Sequence, residues 1–143
     1  MQHILQDLLP SELKLLADAG TRTLNLFDSE KGEIVVQKRL TRNEWTLLMV
    51  FVENRPHYAP YEMLLASLTS LAPDTCRKQL HDAQEEGTNA VTRELKPVYR
   101  ALSTLRKKLK SVYPPLDISL LRGVGYVLRV DRDVDGETGQ EGK

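Results

Sequence analysis

The sequence predicts an α+β domain with an N-terminal antiparallel sheet, a helical core and a C-terminal β-hairpin. Apolar and polar residues alternate on both sides of a turn-forming stretch at residues 28–32, a pattern typical of a half-buried hairpin. Apolar residues recur at helical spacing over residues 97–109. Glycines on both sides of Val124 separate two short apolar runs, which predicts a second hairpin over residues 118–130.

The composition is that of an ordinary globular domain. The chain has 143 residues, of which 41% are apolar and 28% are charged, which suits one domain with its own core. No apolar run approaches the ~18 residues of a membrane span, and no pattern of a secretory signal is present. The single cysteine, Cys76, has no partner for an internal disulfide. We therefore expect a cytoplasmic protein that does not contact a membrane.

The two ends of the chain differ in character from its middle. Residues 1–19 are rich in leucine at roughly helical spacing, which predicts an N-terminal helical segment capped by Gly20. This segment would pack on the core, form a dimer contact or connect to another domain. Residues 20–130 would form the main domain. Residues 131–143 are acidic and Gly-rich without apolar periodicity, which predicts a disordered tail.

The first two core helices begin with recognisable signals. Thr41 and Glu44 have the spacing of a capping box, in which each residue satisfies the backbone amide of the other. The helix that follows is apolar almost all round, which predicts burial on most sides. Pro60 suits the first turn of the second helix, where its missing N–H costs nothing.

The region before the last helix is longer than a simple turn. Pro73 is expected to begin a third helix that ends near Gly87. Residues 88–95 are compatible with a loop or with a helical lead-in, and Pro97 is expected to begin the last helix. We therefore expect residues 70–96 to form an enlarged loop that carries an inserted helix.

Positive charge is concentrated near the end of the chain. The whole sequence has a net charge of zero, yet residues 96–130 contain eight basic side chains and a single acidic one, Asp117. A phosphate backbone responds to the local field of such a patch and not to the sum over the chain. The distribution therefore favours a nucleic-acid partner in a way that the net charge does not.

The helix predicted over residues 97–109 has one apolar and one polar face. Its apolar seam consists of Val98, Leu102, Leu105 and Leu109. Only hydrogen-bond donors occupy the opposite face, which includes Lys96, Arg100, Ser103, Thr104 and Lys107. The base edges of a DNA major groove are rich in acceptors and the groove admits a helix. A solvated charged surface is the alternative interpretation of this face.

Residues beside this face extend the candidate site. Lys96 and Lys110 would contact phosphates, and Tyr99 lies on the flank of the helix as a candidate for contact with a base. At the tip of the second hairpin, Gly123 permits close backbone approach, and Arg122 suits the negative potential of a minor groove. A plain hairpin with an exposed arginine is the alternative for the tip.

The order of these motifs resembles a known family. The matching stretches are Leu40-Thr41-x-x-Glu44-x-x-Leu47-Leu48, Leu64-Leu65, Leu105-Arg106-Lys107-Lys108-Leu109 and Leu121-Arg122-Gly123-Val124-Gly125-Tyr126. Together they resemble the winged helix-turn-helix effector domain of OmpR/PhoB-type response regulators over residues 20–130. The resemblance implies a recognition helix at residues 97–109 in the major groove and a wing at residues 118–130, with Arg122 in the minor groove.

The chain also departs from the family pattern. Only 40 residues precede Thr41, without the acidic pocket pattern of the family's receiver domain, so phosphorylation control within this chain is not expected. The chain would then be a stand-alone regulator or an excised domain. Pro60 and Tyr61 stand where the family has a serine cap and a basic residue, so no phosphate contact is expected there. In the family, the loop that corresponds to residues 70–96 contacts RNA polymerase. Here it would contact RNA polymerase or another protein, or brace the fold.

We therefore expect a bacterial transcriptional regulator that binds double-stranded DNA in a sequence-specific manner, associated with the nucleoid, and a homodimer is one assembly left open. No enzyme is expected, because the sequence has no P-loop or nucleophile-elbow pattern. The three histidines lack ligand spacing, so neither a metal nor another cofactor is expected. The alternative function is a protein-docking module that uses residues 1–19 and 70–96, with the acidic tail suppressing DNA contact.

Overall fold

The protein is seen in a computed structural model that describes residues 2–54 and 57–131. The predicted α+β class is confirmed. The elements in chain order are β1 (Gln2–Ile4), a single 3-10 turn (Gln6–Leu8), β2 (Leu13–Asp18), β3 (Thr23–Asp28), β4 (Glu33–Arg39), α1 (Arg42–Glu53), β5 (Tyr58–Pro60), α2 (Tyr61–Thr69), α3 (Pro73–Glu86), α4 (Thr88–Val112), β6 (Leu116–Leu121) and β7 (Gly125–Val130). Within the described residues, no helix combines the length and apolar character needed to cross a membrane.

Two antiparallel sheets frame the helices. The N-terminal sheet has the order β1-β2-β3-β4, and the C-terminal sheet has the order β5-β7-β6. Both predicted hairpins are present, as β3–β4 and β6–β7. In the second hairpin, Leu121 pairs with Gly125 across the turn. The short strand β5 adds to the outer edge of β7 and so connects the hairpin to the start of α2.

The prediction of a helix in residues 1–19 is wrong, because these residues form β1, the 3-10 turn and β2. In β2, Leu15 and Ala17 are buried, and Leu16 between them is partly exposed, which is the alternation of a strand. Closely spaced leucines fit the period of a helix and that of a strand. Pairing with β3 makes this segment a strand. Gly20 is therefore not a helix cap and lies in the β2–β3 turn, where its amide donates to Asp18 Oδ1 at 3.0 Å.

The predicted capping box at the start of α1 is confirmed. Thr41 Oγ1 accepts from the Glu44 amide at 3.2 Å, and the Thr41 amide donates to Glu44 Oε1 at 2.8 Å. The buried face of α1 includes Leu47, Leu48 and Phe51. The expected position of Pro60 needs a correction of one residue, because it ends β5 and caps α2 instead of lying in the first helical turn. Its fixed φ fits this extended position as well.

The helix that ends near Gly87 is confirmed as α3, but the expected start of the last helix at Pro97 is wrong. The helix α4 begins at Thr88 and includes Pro97 in its interior. Pro97 cannot donate to the carbonyl group of Arg93, which costs about 3 kcal/mol in a helix interior. Burial of Ala90 and Leu95 before the proline, and of Val98 after it, offsets this cost. Residues 88–96 are therefore helix, and the inserted part of residues 70–96 is α3.

One hydrophobic core contains side chains from both sheets and from all four of the helices described above. His57 adds a polar connection within it. Its Nδ1 lies 3.0 Å from the carbonyl oxygen of Phe51, and its Nε2 lies 3.0 Å from Asp7 Oδ2. This histidine is satisfied by hydrogen bonds, as expected of a histidine without ligand spacing. The expected tail at residues 131–143 lies outside the described residues except for Asp131.

Candidate nucleic-acid interface

The predicted orientation of α4 is confirmed by burial. Its apolar seam faces the core, where Val98, Leu105 and Leu109 are 0% exposed and Leu102 is 3% exposed. All of the donors predicted on the opposite face are exposed, and these are Lys96, Arg100, Ser103, Thr104 and Lys107. The helix of 25 residues is about 37 Å long at 1.5 Å per residue. It therefore presents a long ridge of polar side chains to solvent, in which the Thr104 hydroxyl already donates to the carbonyl oxygen of Ala101 at 3.1 Å.

The longer helix adds residues that the sequence analysis missed. Asn89 and Arg93 are exposed and lie eleven and seven residues before Arg100, which places them on the same helical face. The signal that could have found Arg93 is the seven-residue spacing from Arg93 to Arg100 to Lys107. A helix that begins at Pro97, as expected from the sequence, leaves Arg93 outside this spacing.

A cleft lies on each side of the α4 ridge. One cleft of about 310 Å³ separates the ridge from the β6–β7 hairpin and is lined by Tyr99, Leu102, Ser103, Arg106, Lys107, Lys110 and Tyr126. The other, of about 540 Å³, lies beside the start of α1 and is lined by Thr41, Asn43, Arg93, Lys96, Pro97, Arg100, Ala101 and Thr104. Each cleft has three basic side chains and no acidic one in its lining.

Asp117 pairs with two of the basic side chains that line the hairpin cleft and so reduces its positive charge. Arg106 Nε donates to Asp117 Oδ1 at 3.1 Å, and Lys110 Nζ lies 3.6 Å from Asp117 Oδ2. Burial by itself raises the pKa of Asp117, but hydrogen bonds from Arg106 and from the Ile118 amide hold it below its ordinary value. Lys110 therefore has an acidic partner. Arg106 also lines this cleft, although the sequence alone did not indicate it. Its bond to Asp117 of the hairpin holds its side chain there.

The hairpin tip contacts the start of α2, where the Tyr61 amide donates to the carbonyl oxygen of Val124 at 3.2 Å. Gly123 has φ +78, which L side chains rarely adopt, and it is exposed beside Arg122. A Cβ on Gly125 would collide with the carbonyl oxygen of Ala59 and lie 2.7 Å from Pro60 Cα. The two glycines of the turn thus serve different needs, a positive φ at the first and close approach of β5 at the second.

Tyrosines line the base of the hairpin cleft. The rings of Tyr61 and Tyr126 meet edge to face with centroids 5.9 Å apart. Burial raises the pKa of Tyr126, so its phenol stays neutral at physiological pH and can donate a hydrogen bond. Tyr99 is half-buried and lines this cleft, so only part of its ring is accessible to a ligand.

The described part of the chain does not contain a metal site. No group of three or more His, Cys, Asp or Glu side chains there could hold a metal ion. Cys76 is fully buried. Comparison of the chain with protein-family models, with curated proteins and with solved structures gives no match in any of the three. Fold and site together define a class: a small α+β protein that presents a cationic helical ridge beside a glycine-containing hairpin.

Proposed function

We propose that the protein binds double-stranded DNA as a winged helix-turn-helix regulator of transcription, similar to OmpR/PhoB-type effector domains. The observation that carries the proposal is the exposed basic ridge of α4 with a cationic cleft on each side. A helix inserted in the major groove has base edges in front of it and a phosphate strand on each flank. The ridge and its two clefts match this arrangement, with β6–β7 as the wing.

The ridge residues divide by position. Those in the middle of the ridge would contact base edges, and these are Arg100, Ser103, Thr104 and Lys107. Those towards its ends or beside the hairpin would contact phosphates, and these are Arg93, Lys96, Arg106 and Lys110. Members of both groups line the two clefts. Arg122 and Gly123 at the wing tip would approach the adjacent minor groove. This role requires no catalysis and no cofactor, and it places the protein with the nucleoid in the cytoplasm.

The proposal is tested by measuring affinity for random-sequence duplex DNA at two salt concentrations. Each neutralised phosphate contributes about 0.9 to the slope of log K against log salt, so we expect a steep dependence. On a preferred site, Arg100→Ala should weaken binding by about 1–3 kcal/mol, the usual scale of a base contact. Lys78→Ala, at an exposed site on α3, is the matched control.

A preferred site can be obtained by selecting bound sequences from a random DNA pool. One half-site indicates binding as a monomer, and two half-sites separated by about one helical turn indicate a homodimer on DNA. Absence of binding at low salt by a folded protein would contradict the whole proposal. Equal affinity of wild type and Arg100→Ala for the selected site would remove Arg100 from the base contacts.

A second candidate function, protein docking, is favoured by a groove on the other side of the wing tip. This groove of about 370 Å³ lies between α2, α3, α4 and the tip, and is lined by Tyr61, Glu62, Arg77, Leu80, His81, Gln84, Val91, Leu95, Tyr99, Gly123 and Val124. Its apolar part and the 50% exposure of Val124 suit a partner protein such as RNA polymerase. Val124→Ser, expected to retain DNA affinity, should then lower transcriptional output in a reporter assay.

A further inference from the structure

A third cationic cleft lies at the end of the N-terminal sheet. It has a volume of about 310 Å³ and is lined by Arg22, Arg39, Leu40, Thr41 and Lys108. Arg22 belongs to the β2–β3 turn, Arg39 ends β4, and Lys108 comes from α4. Three basic side chains from distant parts of the sequence thus surround one space, and no acidic side chain lines it.

Arg22 carries a buried hydrogen-bond donor without a partner. Its Nε is buried and has no hydrogen-bond partner among the described residues. Leaving such an N–H unpaired costs free energy. The backbone of Arg22 is held at φ 54, an uncommon conformation for a side chain of this size. A hydrogen bond of 2.8 Å from the Leu40 amide to the Arg22 carbonyl oxygen maintains it.

Lys108 lines the cleft, but its ammonium group is already paired and is not free to bind an anion. Its Nζ donates to Glu44 Oε1 at 2.7 Å and to the carbonyl oxygen of Arg39 at 3.0 Å. The positive charge of Lys108 is therefore balanced by the buried carboxylate of Glu44. Arg22 and Arg39 remain as the charges that an anion in this cleft would meet.

This cleft continues the one beside α1. Thr41 lines both, and Lys108 follows Thr104 by one helical turn along α4. A continuous cationic strip therefore runs from Arg93 and Arg100 on α4, past Thr41, to Arg39 and Arg22 on the sheet. A single polyanion laid along the α1 flank of the ridge would meet all of these side chains.

We infer that the DNA strand on the α1 side of α4 continues onto the N-terminal sheet, where Arg22 and Arg39 bind its backbone phosphates. The inference rests on the proposed function and adds a second element to the DNA interface. Arg22 and Arg39 both line this cleft, and their guanidinium groups suit phosphate geometry. Phosphate contacts do not distinguish one base from another, so they should strengthen binding to every DNA sequence equally.

The test compares salt dependence of duplex binding for wild type and for the Arg22→Ala/Arg39→Ala double variant. Loss of two phosphate contacts should reduce the slope of log K against log salt by about 1.8. The ratio of affinities for selected and random DNA should stay unchanged. Lys31→Ala, in the β3–β4 turn at the opposite end of the same sheet, is the matched control.

The single variant Arg39→Ala keeps the test decisive if loss of Arg22 disturbs the turn. Arg39 is exposed, and only its backbone carbonyl group contacts Lys108. A slope reduced by about 0.9 in this variant would support the inference. An unchanged slope in a variant with the wild-type melting temperature would overturn it and leave the proposed function standing. A wild-type protein that fails to bind DNA at low salt would overturn both.

Discussion

At the scale of single residues, Glu44 connects the start of α1 to the rest of the fold. Its carboxylate closes the capping box with the Thr41 amide and accepts a hydrogen bond of 2.7 Å from Lys108 Nζ. Burial alone raises the pKa of Glu44, but hydrogen bonds from Lys108, Thr104 and Thr41 outweigh it and hold the pKa below its ordinary value. The folded state therefore favours the charged carboxylate.

We predict that Glu44→Ala lowers the free energy of unfolding at pH 7 by about 2–3 kcal/mol. This is less than the cost of breaking a fully buried ion pair, about 3–5 kcal/mol, because Lys108 keeps 31% of its surface exposed. Since the folded pKa lies below the ordinary 4.5, this stabilisation is complete above pH 4.5 and is lost as pH falls through the folded pKa. Urea unfolding at several pH values measures it, with the exposed Glu53→Ala as control.

At the scale of elements, the extent of α4 decides how large the candidate site is. A proline inside an otherwise periodic stretch predicts a helix boundary, and here packing of Ala90 and Leu95 overrides that local preference. The two added turns bring Arg93 into the cleft beside α1. Its Nη2 lies 3.8 Å from Glu86 Oε1 in an exposed ion pair, which is weak enough to be exchanged for a phosphate.

We predict that Arg93→Ala weakens binding to all duplex sequences alike and reduces the salt slope by about 0.9. The reason is that Arg93 lies near the end of the ridge, where it reaches a phosphate and not a base edge. Fluorescence anisotropy with a labelled duplex at several salt concentrations measures this slope, and Lys78→Ala should leave it unchanged. If Arg93→Ala left the slope at the wild-type value, the contact of α4 with DNA would not extend to Arg93.

At the scale of the whole molecule, the first strands are part of the same core as the helices. Ile4, Leu5 and Leu15 are at most 3% exposed and belong to the cluster that also contains α4 side chains. Asp7 and His57 join the N-terminal segment to the loop after α1. Of the three alternatives for residues 1–19, packing on the core is therefore the one that the structure shows, with strands in place of the expected helix.

We predict that Leu15→Ala destabilises the entire domain by about 2–5 kcal/mol, the usual cost of truncating a buried leucine. Because the core is shared, the shift should be equal when unfolding is followed by circular dichroism and by the fluorescence of Trp45 on α1. Ile34→Ala, on the same sheet at 42% exposure, should change stability by less than about 0.5 kcal/mol. Separate transitions for the two probes would show that the sheet unfolds by itself.

The sequence alone determined the features that depend on neighbours within about one turn or one strand. These are the β3–β4 hairpin, the capping box of α1, the α3 boundaries, the buried seam of α4 and the glycine turn before β7. Only the tertiary structure decided that residues 1–19 are strands, since β2 needs β3 as its pairing partner. It also brought Arg22 and Arg39 beside α4, which charge counted along the chain could not show, because an electrostatic patch depends on distances in space.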